Sequence, residues 1–354
     1  MSMSVDQEIY FEQKGQLGVI LLNRPKALNA LTHEMAIALH TKLDDWAADN
    51  TVQAVLIKGA GEKAFCAGGD IVKLYNEGKA GGDYPYRFYE DEYKCNAAIK
   101  HFPKPYIAFM DGIVMGGGVG VSVHGSHCIA TERTLFAMPE SGIGLFPDVG
   151  GTYFLPRCPG EIGMYLGLTG ARLKAADTVY AGVASTYVQS VNLDGLEQSL
   201  ASMQFSKDPH GDIDQLIAVY AEQTETPPLE EYRAKIDKHF SADSVEGILA
   251  SLDEAGDEWA VKTAAGLRSK SPTSMKVTCR QIRSGASKTF DDCMKLEWRM
   301  VNRIIKGHDF YEGTRAVVID KDQKPVWSPA TLEDVKDEDI DSYFTPLAAG
   351  DLDI

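Results

Sequence analysis

Two carboxylates eight residues apart, Glu140 and Asp148, stand in the segment FAMPESGIGLFPDVGGTYFLP (136 to 156), whose other residues are mostly apolar, glycine or proline. Set among Phe136, Met138, Ile143, Leu145 and Phe146, they are expected to lose part of their hydration. Lost hydration raises a carboxyl pKa and suits the group to acid/base or nucleophilic work. The bland alternative has Asp148 capping the helix that VGGTYFLP would begin and Glu140 pairing with a base. Two glycine-rich segments, AFCAGGD (64 to 70) and MGGGVG (115 to 120), each follow an apolar strand-like run and lead into another apolar run. At such turns backbone N–H groups are free to meet an anion, and consecutive glycines let the backbone approach a ligand closely. Either segment alone could serve only tight packing; together they suggest two converging amide donors. Neither matches G-x-x-x-x-G-K-[ST], and MGGGVG lacks the G-x-G-x-x-G spacing with a ribose-binding acid about 20 residues on, so nucleotide-fold readings are set aside.

Other reactive side chains read as structural. His124 and His127 have the i, i+3 spacing of a ligand pair, but no carboxylate or third ligand accompanies them. Ser141 lies in no G-x-S-x-G elbow. The six cysteines are widely spaced, with no C-x-x-C pair, which favours buried thiols over a disulfide framework or a zinc site. Cys66 has no histidine partner in view and reads as a packing residue.

The elements that must hold these residues alternate between strand and helix patterns up to about residue 190. GVILLN (18 to 23), an amphipathic stretch from Thr32 to Ala48 and AVLIKGA (54 to 60) form one set. A helical stretch near Tyr86 to Lys100, the run KPYIAFMDGIVMGGG and the run HCIATERTLFAM form the next. This rhythm implies a mostly parallel, layered α/β arrangement. From about residue 203 long helical patterns take over, including Ser244 to Leu252 and Phe290 to Ile305. We therefore divide the chain into an α/β core over 1–202 and a mainly helical part over 203–354. The acid-rich TLEDVKDEDIDSYF near its end reads as a solvated face or frayed tail.

Composition narrows the partners. A net charge of −16 disfavours nucleic acid and anionic membrane. No run of about 18 uncharged apolar residues could span a bilayer, so the chain reads as soluble. The N-terminal MSMSVDQEIYFEQKGQ has neither signal-peptide nor transit character, and the expected compartment is the cytosol.

Four segments together, NRPKALNAL (23 to 31), KAFCAGGD (63 to 70), DGIVMGGGVGVSVHG (111 to 125) and FAMPESGIGLFPDVGGTYFLPR (136 to 157), resemble the crotonase (enoyl-CoA hydratase/isomerase) superfamily. SPTSMKVT (271 to 278) and DFYEGTRAVVIDKDQKPVW (309 to 327) resemble its thioester-hydrolase branch. The resemblance implies a fold of repeated ββα units wound in a spiral, with an α-helical C-terminal part. It also implies that the Gly69 and Gly117 amides polarise a thioester carbonyl, and that Glu140 and Asp148 do the chemistry. Hydratases carry a second catalytic Glu where this chain has Gly120, and a small residue where it has Asp148. One acid is lost and another gained, which points to different chemistry on the same scaffold.

By the same resemblance Glu92, in FYEDEYKCNA, contacts substrate together with Gly117, Glu140 and Asp148, although a solvated helical Glu is its ordinary reading. The CoA portion is expected against the backbone of Cys66 and Ala67, with Lys26 near a phosphate. The implied reaction is hydrolysis of 3-hydroxyisobutyryl-CoA, or a close short-chain 3-hydroxyacyl-CoA, to the free hydroxyacid and CoA, as in valine breakdown. CoA enters as part of the substrate, with no cofactor or metal, and a homo-oligomer is compatible with the resemblance. The alternatives are an enoyl-CoA hydratase or isomerase working through Glu140 alone, and a non-catalytic CoA-binding member.

Overall fold

Strands form where short β-branched and aliphatic runs end at glycine, proline or polar turns. The computed structural model describes residues 7–354. Its strands are β1 (Ile9–Lys14), β2 (Leu17–Leu22), β3 (Ala54–Gly59), β4 (Ala64–Cys66), β5 (Tyr106–Met110), β6 (Ile113–Met115), β7 (His127–Ala130), β8 (Leu135–Ala137), β9 (Leu173–Lys174) and β10 (Thr186–Tyr187). They form a six-stranded sheet of order β1-β2-β3-β5-β7-β10 and a four-stranded sheet of order β4-β6-β8-β9. Successive pairs divide between the two sheets: β3, β5 and β7 enter the large one, and β4, β6 and β8 the small one. This is the repeated ββα spiral anticipated from sequence. Apart from the antiparallel β1–β2 hairpin the large sheet is parallel, with Leu56 opposite Ile107 and Phe109 opposite Ile129.

By internal contacts the chain forms two compact units. The first gathers the residues through Gly69 with Lys94–Phe136 and Leu173–Glu230; the second gathers Asp70–Tyr93, Ala137–Arg172 and Glu231–Ile354. In the first, alternate residues of neighbouring strands, Leu17, Val19, Ala54, Leu56, Ile107 and Phe109, line one face of the large sheet. Leu193, Leu196 and Leu200 of the Leu193–Ser202 helix, and Ile213 and Ile217 of the Pro209–Tyr220 helix, cover that face. The period of two on the strands and of three to four on the helices is what joins such layers.

The second unit is mainly helical, and among the described residues no strand follows Tyr187. Its Pro272–Gly285 helix starts at Ser271, whose hydroxyl accepts from the Ser274 amide, and packs on the Ile162–Thr169 and Gly151–Phe154 helices. The Phe290–Ile304 helix starts at Thr289 in the same way and also packs on Gly151–Phe154. The acidic end is pinned rather than frayed: the Asp337–Phe344 helix buries Ile340, Arg280 pairs with Asp341, and Arg299 with Asp351. The change at residue 203 thus marks a change of secondary structure, while compactness groups the chain by interleaved stretches. No helix among the described residues is long and apolar enough to cross a membrane.

Candidate active site

Of the carboxylates buried in the second unit, four interact electrostatically: Glu92, Glu140, Asp148 and Glu297. Glu140 opens the short 3-10 turn Glu140–Ile143, which ends at Gly144 in the left-handed region. A Cβ on Gly144 would lie 2.1 Å from the Asp309 carbonyl oxygen, so only glycine fits. Motifs distant in sequence brace this turn. The Ser271 amide donates to the Ser141 carbonyl, and the Ser271 hydroxyl donates to Asp309 at 2.6 Å, giving SPTS and DFYEG a shared task.

Glu140 is only 4% exposed and its Oε2 has no hydrogen-bond partner. Burial pushes its pKa well above the usual carboxylate range, and the charge of Asp148 raises it further. Asp148, also buried, accepts a hydrogen bond on Oδ2 from the Tyr93 hydroxyl at 2.9 Å. Burial lifts its pKa to about 7 against the lowering effect of that bond. Its side chain does not cap the Gly151–Phe154 helix. Glu92 is buried rather than solvated, has an unpartnered Oε1, and is raised well above its ordinary value by burial and then by Asp148.

The fourth carboxylate, Glu297, is fully buried and accepts from the Gly150 and Thr152 amides, each at 2.8 Å. Burial raises it to about 8, with those bonds opposing. Beside it Gln281 donates to the Pro147 carbonyl at 2.5 Å and to the Thr152 hydroxyl at 2.8 Å. Lys270 is the cation that opposes the rise at Glu140. Glu297 stands near no motif and Gln281 lies just past SPTSMKVT, yet both carry a sequence signal. Phe290, Cys293, Met294, Met300, Val301 and Ile304 form a buried stripe in which position 297 holds an acid. Gln281 sits likewise between Thr278 and Ile282 on a buried face. A polar residue inside an apolar stripe needs a partner.

The remaining candidates lie in the first unit. β4 and β6 run parallel, so AFCAGGD and MGGGVG leave adjacent strands side by side. A Cβ on Gly68 would lie 4.0 Å from the Gly117 nitrogen, and one on Gly118 would lie 2.1 Å from the Cys66 oxygen. Position 118 therefore admits only glycine. Gly117 opens the Gly117–Gly120 helical turn, where its N–H has no acceptor within the helix. Ala67 donates to the Leu28 carbonyl, Gly69 bridges to Leu31, and exposed Lys26 lines a groove of about 330 Å³ with Lys63, Asn29 and Ala64.

Residues read as structural have structural partners. His127 bonds Ser126 and Asp214, while Ser126 also bridges the Tyr106 backbone. Ser141 donates to the Leu168 carbonyl. All six cysteines are buried and outside any disulfide.

A spiral of ββα units, a pair of glycine-lined strand ends and a buried carboxylate cluster define a class, and comparison with known proteins agrees. The enoyl-CoA hydratase/isomerase family model matches residues 17–344, and the chain belongs to that family. Among curated relatives, the mitochondrial 3-hydroxyisobutyryl-CoA hydrolase of Danio rerio is 49% identical, covering 99% of this chain and 93% of that protein. The protein of the same name from Homo sapiens is 45% identical over 98% of this chain and 90% of its own. Among solved structures, a carnitinyl-CoA dehydratase from Mycobacterium thermoresistibile has a TM-score of 0.91 at 39% identity, covering 98% of each chain. An enoyl-CoA hydratase from Rhodobacter sphaeroides has a TM-score of 0.90 at 36% identity, covering 98% of this chain and all of that one.

These relatives correct the expectation of a cytosolic protein, since the hydrolases are named as mitochondrial. That expectation rested on N-terminal residues, of which 1–6 lie outside the described structure. Targeting segments are removed from mature proteins, so their absence from a sequence carries no weight.

Proposed function

We propose that this chain hydrolyses the thioester of 3-hydroxyisobutyryl-CoA, or of a close short-chain 3-hydroxyacyl-CoA. The observation that carries the reading is the buried Glu140 and Asp148 pair, the latter held by Tyr93, in a chain with Gly120 where hydratases place their second acid. Full-length similarity to hydrolases of that name supports the substrate, and the mitochondrial names of those relatives favour that compartment for the reaction.

In this reading the Gly69 and Gly117 amides donate to the thioester oxygen, each contributing about 2.7 to 4 kcal/mol once negative charge develops there. Glu140 acts through its unpartnered Oε2. It attacks the carbonyl carbon to form a mixed anhydride, or takes a proton from the water that attacks. Either way a C–O bond forms at the thioester carbon, the C–S bond breaks, and the thiolate leaves with the electron pair; in the anhydride route water then cleaves the anhydride, freeing the hydroxyacid and regenerating Glu140. Asp148, raised to about 7, is suited to give that thiolate a proton. Glu92 is read as a contact for the substrate hydroxyl. Lys26, Cys66 and Ala67 face the CoA portion, and the chemistry calls on no metal or organic cofactor.

The two similar solved structures, of a carnitinyl-CoA dehydratase and an enoyl-CoA hydratase, favour a second reading, hydration of an enoyl-CoA. Release of free thiol from 3-hydroxyisobutyryl-CoA, measured beside hydration of crotonyl-CoA, separates the two. Thiol release without hydration is the expected result; hydration without thiol release overturns the proposal. A single turnover in ¹⁸O-water then tests the anhydride route, since label enters Glu140 only when water attacks the Glu140 carbonyl of the mixed anhydride.

A further inference from the structure

Directly after Asp148 the backbone does what a valine rarely does. Val149 has φ 51° and Gly150 φ 89°, so two consecutive residues lie in the left-handed region. A β-branched residue is a genuine outlier there, and such backbone persists only where its surroundings over-determine it. Those surroundings include two side chains from two helices. Gln281 holds the chain before Val149, donating to the Pro147 carbonyl at 2.5 Å. Glu297 holds it after, with Oε2 accepting from the Gly150 amide and Oε1 from the Thr152 amide, both at 2.8 Å. Gln281 also reaches the Thr152 hydroxyl at 2.8 Å, so the two grips meet on one residue. Val149 is itself buried, as are both gripping side chains.

We infer that Glu297 and Gln281 are positioning residues for Asp148, clamping the left-handed turn on either side of Val149 so that the Asp148 carboxylate stands where Tyr93 holds it. The inference rests on the proposed catalytic role of Asp148. Two buried polar side chains, 147 and 134 residues from the atoms they hold, would be an expensive way merely to pack two helices. Apolar residues would fill the same stripe without needing partners. Their aim at this one turn, with the outlier valine between them, is what a positional task accounts for.

The test measures kcat, KM and melting temperature for thiol release from 3-hydroxyisobutyryl-CoA in the full chain. Glu297→Gln keeps the shape but turns an NH2 toward a backbone N–H, and kcat should fall about 100-fold with KM within about threefold. Gln281→Met removes only neutral hydrogen bonds, and kcat should fall about tenfold. Glycine takes the left-handed conformation without a clamp. Adding Val149→Gly to Glu297→Gln should therefore restore kcat about tenfold. A lowered melting temperature with unchanged kcat in Glu297→Gln overturns the inference. If that variant does not fold, unchanged kcat in Gln281→Met overturns it instead. Asp148→Asn separates the two levels. Wild-type turnover there sinks the role of Asp148 and the clamp with it; lost turnover there, with kcat kept in both clamp variants, sinks the clamp alone.

Discussion

Glu197 in the first unit and four carboxylates in the second are all buried, and their surroundings treat them in opposite ways. In the first, Glu197 is 6% exposed, but Lys14 holds one oxygen at 3.0 Å and Lys58 the other at 2.5 Å. Burial alone would raise its pKa; the two ammonium groups outweigh burial and keep it below the usual value. In the second, Glu92, Glu140, Asp148 and Glu297 are buried with no ion pair, and all four are raised. A buried carboxylate with its own cations is a structural tie. Buried carboxylates left to backbone amides, a tyrosine and one another have raised pKa values, which is costly for stability and suits the proposed acid/base role.

The sharpest way to break this contrast is Glu140→Gln. It should lower kcat for thiol release by about 1000-fold, within the range for a lost general base, while leaving the urea midpoint unchanged or higher. Unchanged turnover would place Glu140 with Glu197 as structural. Asp148→Asn should lower kcat by about 100-fold and also separate activity from stability. Its folded pKa of about 7 lies above the ordinary 3.8, so the native state keeps a proton that the unfolded chain releases between those values. The stability this group confers is complete below about pH 4 and lost as pH rises through about 7. The difference corresponds to roughly 4 kcal/mol at most. Asp148→Asn should therefore unfold at higher urea than wild type at pH 8 and show a flatter decline from pH 4 to 8.

The same substitution removes a negative charge that raises Glu140. The acid limb of its residual kcat/KM profile should move to lower pH. Glu197→Gln is the control for the other unit: thiol release unaffected, with stability down by about 1 to 2 kcal/mol because two partly exposed lysines lose a charged acceptor. Loss of turnover there would erase the distinction. The smallest effect is expected for Lys270→Met. It removes the cation that opposes the rise at Glu140, and should shift the acid limb to higher pH, opposite to Asp148→Asn.

Much of the candidate site was legible because its residues are unusual for their local setting. Glu140 and Asp148 stand among apolar side chains, and the glycine runs stand at strand ends, so composition within about twenty residues exposed them. The strands were legible for the same local reason: β2 and β3 are aliphatic runs ended by turn residues. Glu92 was read as a solvated helical acid unless the resemblance held, because no local pattern reveals which face of the Tyr84–Lys100 helix is buried. Glu297 and Gln281 were missed altogether. Each breaks an apolar stripe, but the atoms they satisfy lie in a different part of the chain.

By itself the sequence determined the alternation of elements, the glycines that only close backbone contacts require, and the pair of acids in an apolar loop. All of these follow from local sterics and hydration. Only the tertiary structure decided which acids share a buried cluster, that Tyr93 and not a helix end holds Asp148, and that Val149 is kept left-handed by two distant helices. Burial and hydrogen bonding across more than a hundred residues depend on how layers pack, and no short window of sequence carries that information.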